Sequence, residues 1–302
     1  MSGKRLLYIE GVMLLVAFIW GINPPIMKVG LVFLPPMAYN ALRMLLASAI
    51  SVAVLFLPGV YRPLDRADWP KLLLVSIVGF FVFQMFFTVG VQHTTAGNAS
   101  LLLGLLPVSV AIINRVFRIE KISRQVLTGI GVTLCGVLFI VAGSGKEVNL
   151  GNTHLVGAAM LLMAQIGYGY YTVFSKPLIA KYSTYQISAG ILVLSTILFV
   201  LVSLPELART DWGAVPAAAW LSVLYSGAFA ICIGNYLWIW GVGKLGSTRA
   251  ALYNNLSPVF AIITGCVFLG ETFGVLQFAG ATAIFYGLYL TRQSGVLSEK
   301  QN

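Results

Sequence analysis

Apolar runs of about 20 residues recur along the whole chain, each long enough to cross ~30 Å of hydrocarbon as a helix. Ten can be drawn, at 8–29, 36–57, 70–91, 95–114, 124–143, 154–174, 184–204, 217–240, 247–269 and 274–292. Lipid gives an open strand's backbone no hydrogen-bond partner, so every run is read as a helix. No stretch remains for a separate soluble domain. With 59% hydrophobic and 9% charged residues over 302 positions, and a mean hydropathy of +0.91, the chain has too little polar material to cover a water-soluble globule. The breaks carry turn chemistry, among them Leu34-Pro35-Pro36, Pro58-Gly59, Gly143-Ser144-Gly145 and Leu204-Pro205.

The net charge of +10 would point to nucleic acid in a soluble domain, but here the basic residues sit in short turns between apolar runs. The expected partner is therefore the anionic head groups of a lipid bilayer, not nucleic acid. Lys4, Arg5, Arg62, Arg66, Lys71, Arg115, Arg118, Lys121, Arg124, Lys176, Lys181, Lys244, Arg249, Arg292 and Lys300 fall on one side, and only Lys146 and Arg209 on the other. That bias predicts a multi-pass protein of a bacterial-type inner membrane with both termini cytoplasmic. The first apolar stretch outruns a signal-peptide core and lacks a small-x-small cleavage site, so it reads as a retained helix. Cys135, Cys232 and Cys266 lie inside apolar runs without CxxC spacing, so no disulfide, metal site or cofactor is expected from them.

An internal repeat appears at an offset of 151 residues: Trp69 with Trp220, Gly90 with Gly241, Ala99 with Ala250, Pro107 with Pro258, Glu120 with Glu271, Gly129 with Gly280 and Gly136 with Gly287. Five spans per half make the second copy enter the membrane in the opposite sense. The expected fold is all-α integral membrane, ten transmembrane helices as two inverted five-helix repeats, residues 1–146 and 147–302. Charge tests this separately. Segment 114–124 aligns with 265–275, where Val, Phe and Glu persist while Arg115, Arg118, Lys121 and Arg124 become Cys266, Leu269, Thr272 and Val275. A loop turned outward should lose its basic residues in this way.

Trp20-Gly21 with Lys28 in the first helix, Pro36 then Arg43 in the second, and the run from small residues through Pro to Glu in each half (Ala99, Pro107, Glu120; Ala250, Pro258, Glu271) resemble the drug/metabolite transporter superfamily, specifically its EamA-type ten-helix members. The resemblance covers nearly the whole chain. It implies a carrier with weak or no proton coupling, usually an exporter of amino acids or related metabolites, with a central cavity between the halves. The aromatic content suits an exporter of aromatic amino acids within that family. The alternatives are export of drugs, purines or sugar-type metabolites by the same fold, a channel, or, from another class, an intramembrane protease or lipid transferase.

Candidate substrate contacts are the polar and aromatic residues placed deep in the spans. Pro24 and Pro25 remove two backbone donors, so the first helix should kink or break beside Trp20 and Asn23, with Asn23 either facing a cavity or capping freed carbonyls. In the sixth helix Gln165, Tyr168 and Thr172 share a face, with Tyr171 beside them. Asn235 in the eighth helix is the repeat partner of Gln84 in the third, and Trp238 and Asn254 extend the set. Polar groups in lipid are costly unless they face a partner or water, so cavity lining competes with simple interhelical bonding for each of them. Arg43 lies well inside a span and reads as a brace slightly more than as a contact for a substrate carboxylate. Glu120 and Glu271 at helix ends should cap matching turns at opposite faces.

No Asp or Glu occupies the middle third of a span, which favours a facilitator or exchanger over an ion-coupled pump. Gly241, Gly243 and Gly246 match Gly-x-Gly-x-x-Gly without a preceding strand, and Gly145-Lys146 lacks the rest of a phosphate loop. His93 and His154 stand at span ends without a nucleophile motif. No enzymatic role is expected, and a monomer is compatible with the repeat.

Overall fold

The computed structural model describes residues 3–56, 61–118, 124–143, 153–245, 253–254 and 256–299. Among these residues there are helices and turns and no strand. The helices are α1 (Gly3–Leu31), α2 (Pro36–Leu55), α3 (Arg66–His93), α4 (Ala96–Val116), α5 (Arg124–Ala142), α6 (Thr153–Phe174), α7 (Thr184–Arg209), α8 (Ala217–Lys244), α9 (Ser257–Leu269) and α10 (Val275–Glu299). A short helix, Lys176–Lys181, leads from α6 toward α7. By length and composition α1, α2, α3, α4, α7 and α8 suffice to cross a membrane, and shorter apolar segments run through α5, α9 and α10.

Local chemistry sets the boundaries. Pro36 opens α2, where its missing N–H would have no helical partner in any case. Thr95 Oγ1 accepts from Asn98 N at 3.1 Å to start α4, and Ser183 Oγ accepts from Gln186 N at 3.2 Å to start α7. Gly270 ends α9 with φ +62°, a left-handed conformation that suits a residue without Cβ.

Three features bear on the sequence expectation. First, α1 runs through Pro24-Pro25 without a break, one of the two outcomes expected there. Neighbouring hydroxyls supply hydrogen bonds on either side, from Tyr225 to the carbonyl of Ile19 (2.9 Å) and from Ser222 to that of Ile26 (2.7 Å). Second, α4 is interrupted at Gly104-Leu105. Pro107 has no N–H for the carbonyl of Leu103, and the Gln165 side chain donates to that carbonyl instead, Nε2 to O 2.7 Å. Third, α3 and α8 each contain a π-helical stretch, Val75–Phe81 and Tyr225–Gly234.

The helices pack chiefly as α5 on α10, α2 on α7, α3 on α6, α1 on α9 and α8, and α4 on α6 and α9. Polar side chains such as Asn40, Arg43, Ser76, Thr88 and Gln165 are buried, while Phe139, Val267, Phe268 and Phe278 face outward. An apolar exterior around a polar interior is what lipid demands. The tightest contact joins α5 to α10, where a Cβ on Gly136 would lie 2.7 Å from the carbonyl of Gly280, and one on Gly287 would lie 2.6 Å from that of Gly129. The partner rises from 280 to 287 as α5 falls from 136 to 129, so the two helices are antiparallel.

Carboxylates fasten the bundle at both ends. Glu206 at the end of α7 accepts from the N–H groups of Met37 and Ala38 in α2, both at 2.9 Å. Glu271, expected to cap a turn, accepts from Ala96 (2.7 Å) and Gly97 (3.2 Å) at the start of α4. Each carboxylate lies on the positive end of a helix dipole. Glu120 lies outside the described residues. At the opposite end Asp68 accepts from Lys71 (3.0 Å), Lys181 (2.6 Å) and the Tyr182 hydroxyl (2.9 Å), and Lys181 also pairs with Asp65. Asp65 and Asp68 together hold the Lys181 ammonium above the usual lysine range.

Candidate substrate cavity

A cavity of about 60 Å³ lies between the helices and is bordered by Trp20, Asn23, Arg43, Gln84, Tyr168 and Asn254, among others. Its position follows from the irregularities above. The break in α4 exposes Leu103 and Gly104 on one wall, the turn before Pro258 brings Asn254 and Ser257 to another, and α3 and α8 present Gln84 and Asn235 just beyond their π-helical stretches. At this size it holds more than a single water, which needs roughly 10–15 Å³ by the same kind of measure.

Of the residues singled out in the sequence, Trp20, Asn23, Gln84, Tyr168, Asn235 and Asn254 border this one cavity. Trp238 and Tyr171 do not. They are buried behind it, Trp238 against Trp20 (ring centroids 5.2 Å) and Tyr171 stacked on Tyr168 (5.6 Å). Phe83, stacked on Tyr168 at 4.5 Å, and Phe87 complete an aromatic wall that sequence reasoning did not include, although their i, i+4 spacing with Gln84 between them is visible. Thr172 bonds back to the carbonyl of Tyr168 and is occupied there (2.8 Å).

The hydrogen bonds divide the lining into occupied and unoccupied groups. The Trp20 indole donates to the carbonyl of Ala230 at 2.9 Å. Asn23 donates through Nδ2 to the sulfur of Met27 (3.2 Å) instead of capping a carbonyl, and its Oδ1 has no partner. Gln165 Oε1 and the Tyr168 hydroxyl are also buried without a partner. Thus three of the four such side-chain atoms among the described residues belong to residues that border one cavity. A buried polar atom left unpaired costs about 1–3 kcal/mol, so a cluster of them marks a place where something else supplies the partners.

Arg43, weighed from the sequence as a brace or a carboxylate contact, is bonded as a brace and also borders the cavity. Its guanidinium is sealed from solvent and donates to Asn40 Oδ1 (2.7 Å), Gln84 Oε1 (2.7 Å), Thr88 Oγ1 (2.6 Å), Ser226 Oγ (3.0 Å) and Met27 Sδ (3.3 Å). Asn40, one helical turn before it, is the only one of these partners the sequence could have named.

Comparison with known proteins agrees with this architecture. A solved crystal structure superposes with a TM-score of 0.67 over 98% of this chain and 99% of its own, at 16% identity, which shows a shared fold. An uncharacterized transporter, YetK, from Bacillus subtilis (strain 168) is 29% identical over 89% of this chain and 80% of its own length. A protein from Streptantibioticus cattleyicolor named "Probable terminal-alkyne amino-acid exporter" is 29% identical over 90% and 89%. The EamA-like transporter family matches residues 7–142 and again 155–293, so this chain belongs to that family of multi-pass membrane transporters in the drug/metabolite transporter superfamily.

Proposed function

We propose that the chain is an alternating-access carrier of small polar metabolites, foremost amino acids including aromatic ones, working without an imposed ion gradient. The observation that carries this reading is the set of unpaired buried atoms, Asn23 Oδ1, Gln165 Oε1 and the Tyr168 hydroxyl, all on residues that line one aromatic-walled cavity. Neutral acceptors and a hydroxyl beside aromatic rings suit a small solute with N–H donors and an apolar side chain. The name of the Streptantibioticus relative points the same way.

The proposed architecture is ten helices in two inverted repeats, spanning an inner membrane with both termini cytoplasmic. Two family matches side by side support it. So does the neighbour pattern, which is unchanged when α1–α5 are exchanged with α6–α10: α3 on α6 becomes α8 on α1, and α1 on α9 becomes α6 on α4. At the offset of 151, the contact of Gly129 with Gly287 becomes that of Gly280 with Gly136. Because α5 and α10 are antiparallel, a two-fold axis relating them lies across the helices, in the membrane plane, which is the relation of an inverted repeat. The π-helical stretches, Val75–Phe81 and Tyr225–Gly234, recur at the same offset.

Counterflow in proteoliposomes tests the function. Labelled phenylalanine should accumulate against unlabelled phenylalanine trapped inside, saturably and with no imposed pH or sodium gradient. A strict requirement for either gradient overturns the facilitator reading, and non-saturating flux makes the protein a channel.

A further inference from the structure

We infer that the cavity selects solutes carrying a carboxylate next to an ammonium group, with Arg43 as the countercharge of the carboxylate and the bare oxygens of Asn23 and Gln165 as the seat of the ammonium. This rests on the transport reading above and adds what that reading leaves open, the charge pattern and orientation of the solute.

The hydrogen bonds of Arg43 are satisfied, but its charge is not. All its partners, Asn40, Gln84, Thr88, Ser226 and Met27, are neutral. Among the described residues the ion pairs cluster around Asp65, Asp68, Lys71 and Lys181, and Glu206 and Glu271 are engaged at helix N-termini. A cation with 0% exposure in a membrane interior and no anionic partner is costly, and it acts strongly across a low dielectric on whatever enters the space beside it. An incoming carboxylate supplies the missing charge, and an incoming bare cation is repelled.

The same space holds acceptors without donors. Gln165 Nε2 is committed to the carbonyl of Leu103, which fixes Oε1 as the free atom. Asn23 Nδ2 shares the sulfur of Met27 with Arg43 Nη1, at 3.2 and 3.3 Å, so the cation and the bare Asn23 carbonyl oxygen stand on adjacent parts of one wall. In an α-amino acid the two charged groups are separated by one carbon. A cation and a bare acceptor linked through one shared sulfur set the two kinds of partner side by side, as the two ends of an α-amino acid need, whereas a dicarboxylate leaves the acceptors unfilled and a diamine places charge against Arg43.

The experiment measures counterflow of four labelled compounds separately in wild-type proteoliposomes: phenylalanine, phenylalaninamide, phenethylamine and N-acetylphenylalanine. Phenylalanine is expected to move at least tenfold faster than each of the others, about 1.4 kcal/mol of discrimination. Arg43→Gln should bring the phenylalanine-to-phenylalaninamide ratio to near unity and Arg43→Lys should preserve it. Being a ratio, this readout is independent of how much variant folds. Amide or amine flux equal to that of phenylalanine in the wild type overturns the role of Arg43, and N-acetylphenylalanine flux at parity overturns the ammonium seat, while both leave the transport reading standing. If none of the four moves, the amino-acid reading falls and this inference with it.

Discussion

Gly136 and Gly280 meet backbone against backbone, so that a Cβ built on either lies within 2.7 Å of the other's carbonyl oxygen. Antiparallel α5 and α10 owe their close approach to this pair and to Gly129 with Gly287. Gly136→Leu or Gly280→Leu should force the helices apart and lower stability by about 1–3 kcal/mol. Gly131→Ala, on the same helix with nothing within 4 Å of its Cβ position, should be tolerated. Thermal unfolding in detergent, followed by size exclusion, reads the difference. Equal melting of all three variants would mean that this contact is not the one setting the helix spacing.

Glu271 holds the first turn of α4 through two backbone N–H groups. Glu271→Ala should remove about 1 kcal/mol, as loss of a helix N-cap does, and Glu271→Gln should lose less because one carbonyl oxygen remains to accept. The ranking wild type, Gln, Ala in melting temperature is the expected outcome. An Ala variant that melts with the wild type would show that water replaces the carboxylate without penalty.

The Tyr168 hydroxyl separates transport from folding. It is buried and unpaired, so Tyr168→Phe deletes a group that contributes no internal hydrogen bond. Melting temperature should stay level or rise, and amino-acid counterflow should fall several-fold. Unchanged flux with unchanged stability would remove Tyr168 from the substrate contacts.

Orientation can be read at two exposed positions. Arg209 closes α7 and Lys181 precedes its start, so they lie at opposite ends of one helix. In a cysteine-free background, Arg209→Cys should react with an impermeant maleimide on intact cells and Lys181→Cys only after permeabilisation. The reverse pattern would invert the proposed topology. Lys146, the other basic residue expected on the outer side, lies outside the described residues.

Much of the helical layout was legible because span length and turn chemistry are local properties. Pro36, Thr95 and Ser183 announce their helix starts by residue type alone. Two of the three helical irregularities involve distant neighbours. The hydroxyls that bond α1 on either side of Pro24-Pro25 come from 196 and 206 positions away, and the break in α4 receives a hydrogen bond from Gln165, 62 positions from Leu103. The cavity was legible as a set of deep polar residues but not as a surface. Trp238 and Tyr171 have the same chemistry as their lining neighbours and differ only in standing one layer back, and the four distant partners of Arg43 come from α1, α3 and α8.

The π-helical stretches in α3 and α8 act on angular phase. A wide turn absorbs one more residue than an α-helical turn, and one residue corresponds to about 100° of rotation. Every side chain after Phe81 in α3, and after Gly234 in α8, is therefore turned by at least that much from where an uninterrupted α-helix would aim it. Gln84 and Asn235 come immediately after these offsets. A helical wheel drawn from Trp69 or Trp220 onward would aim both amides elsewhere, and removing the one extra residue from either stretch would let it close to a regular α-helical turn with the amide still aimed at the cavity.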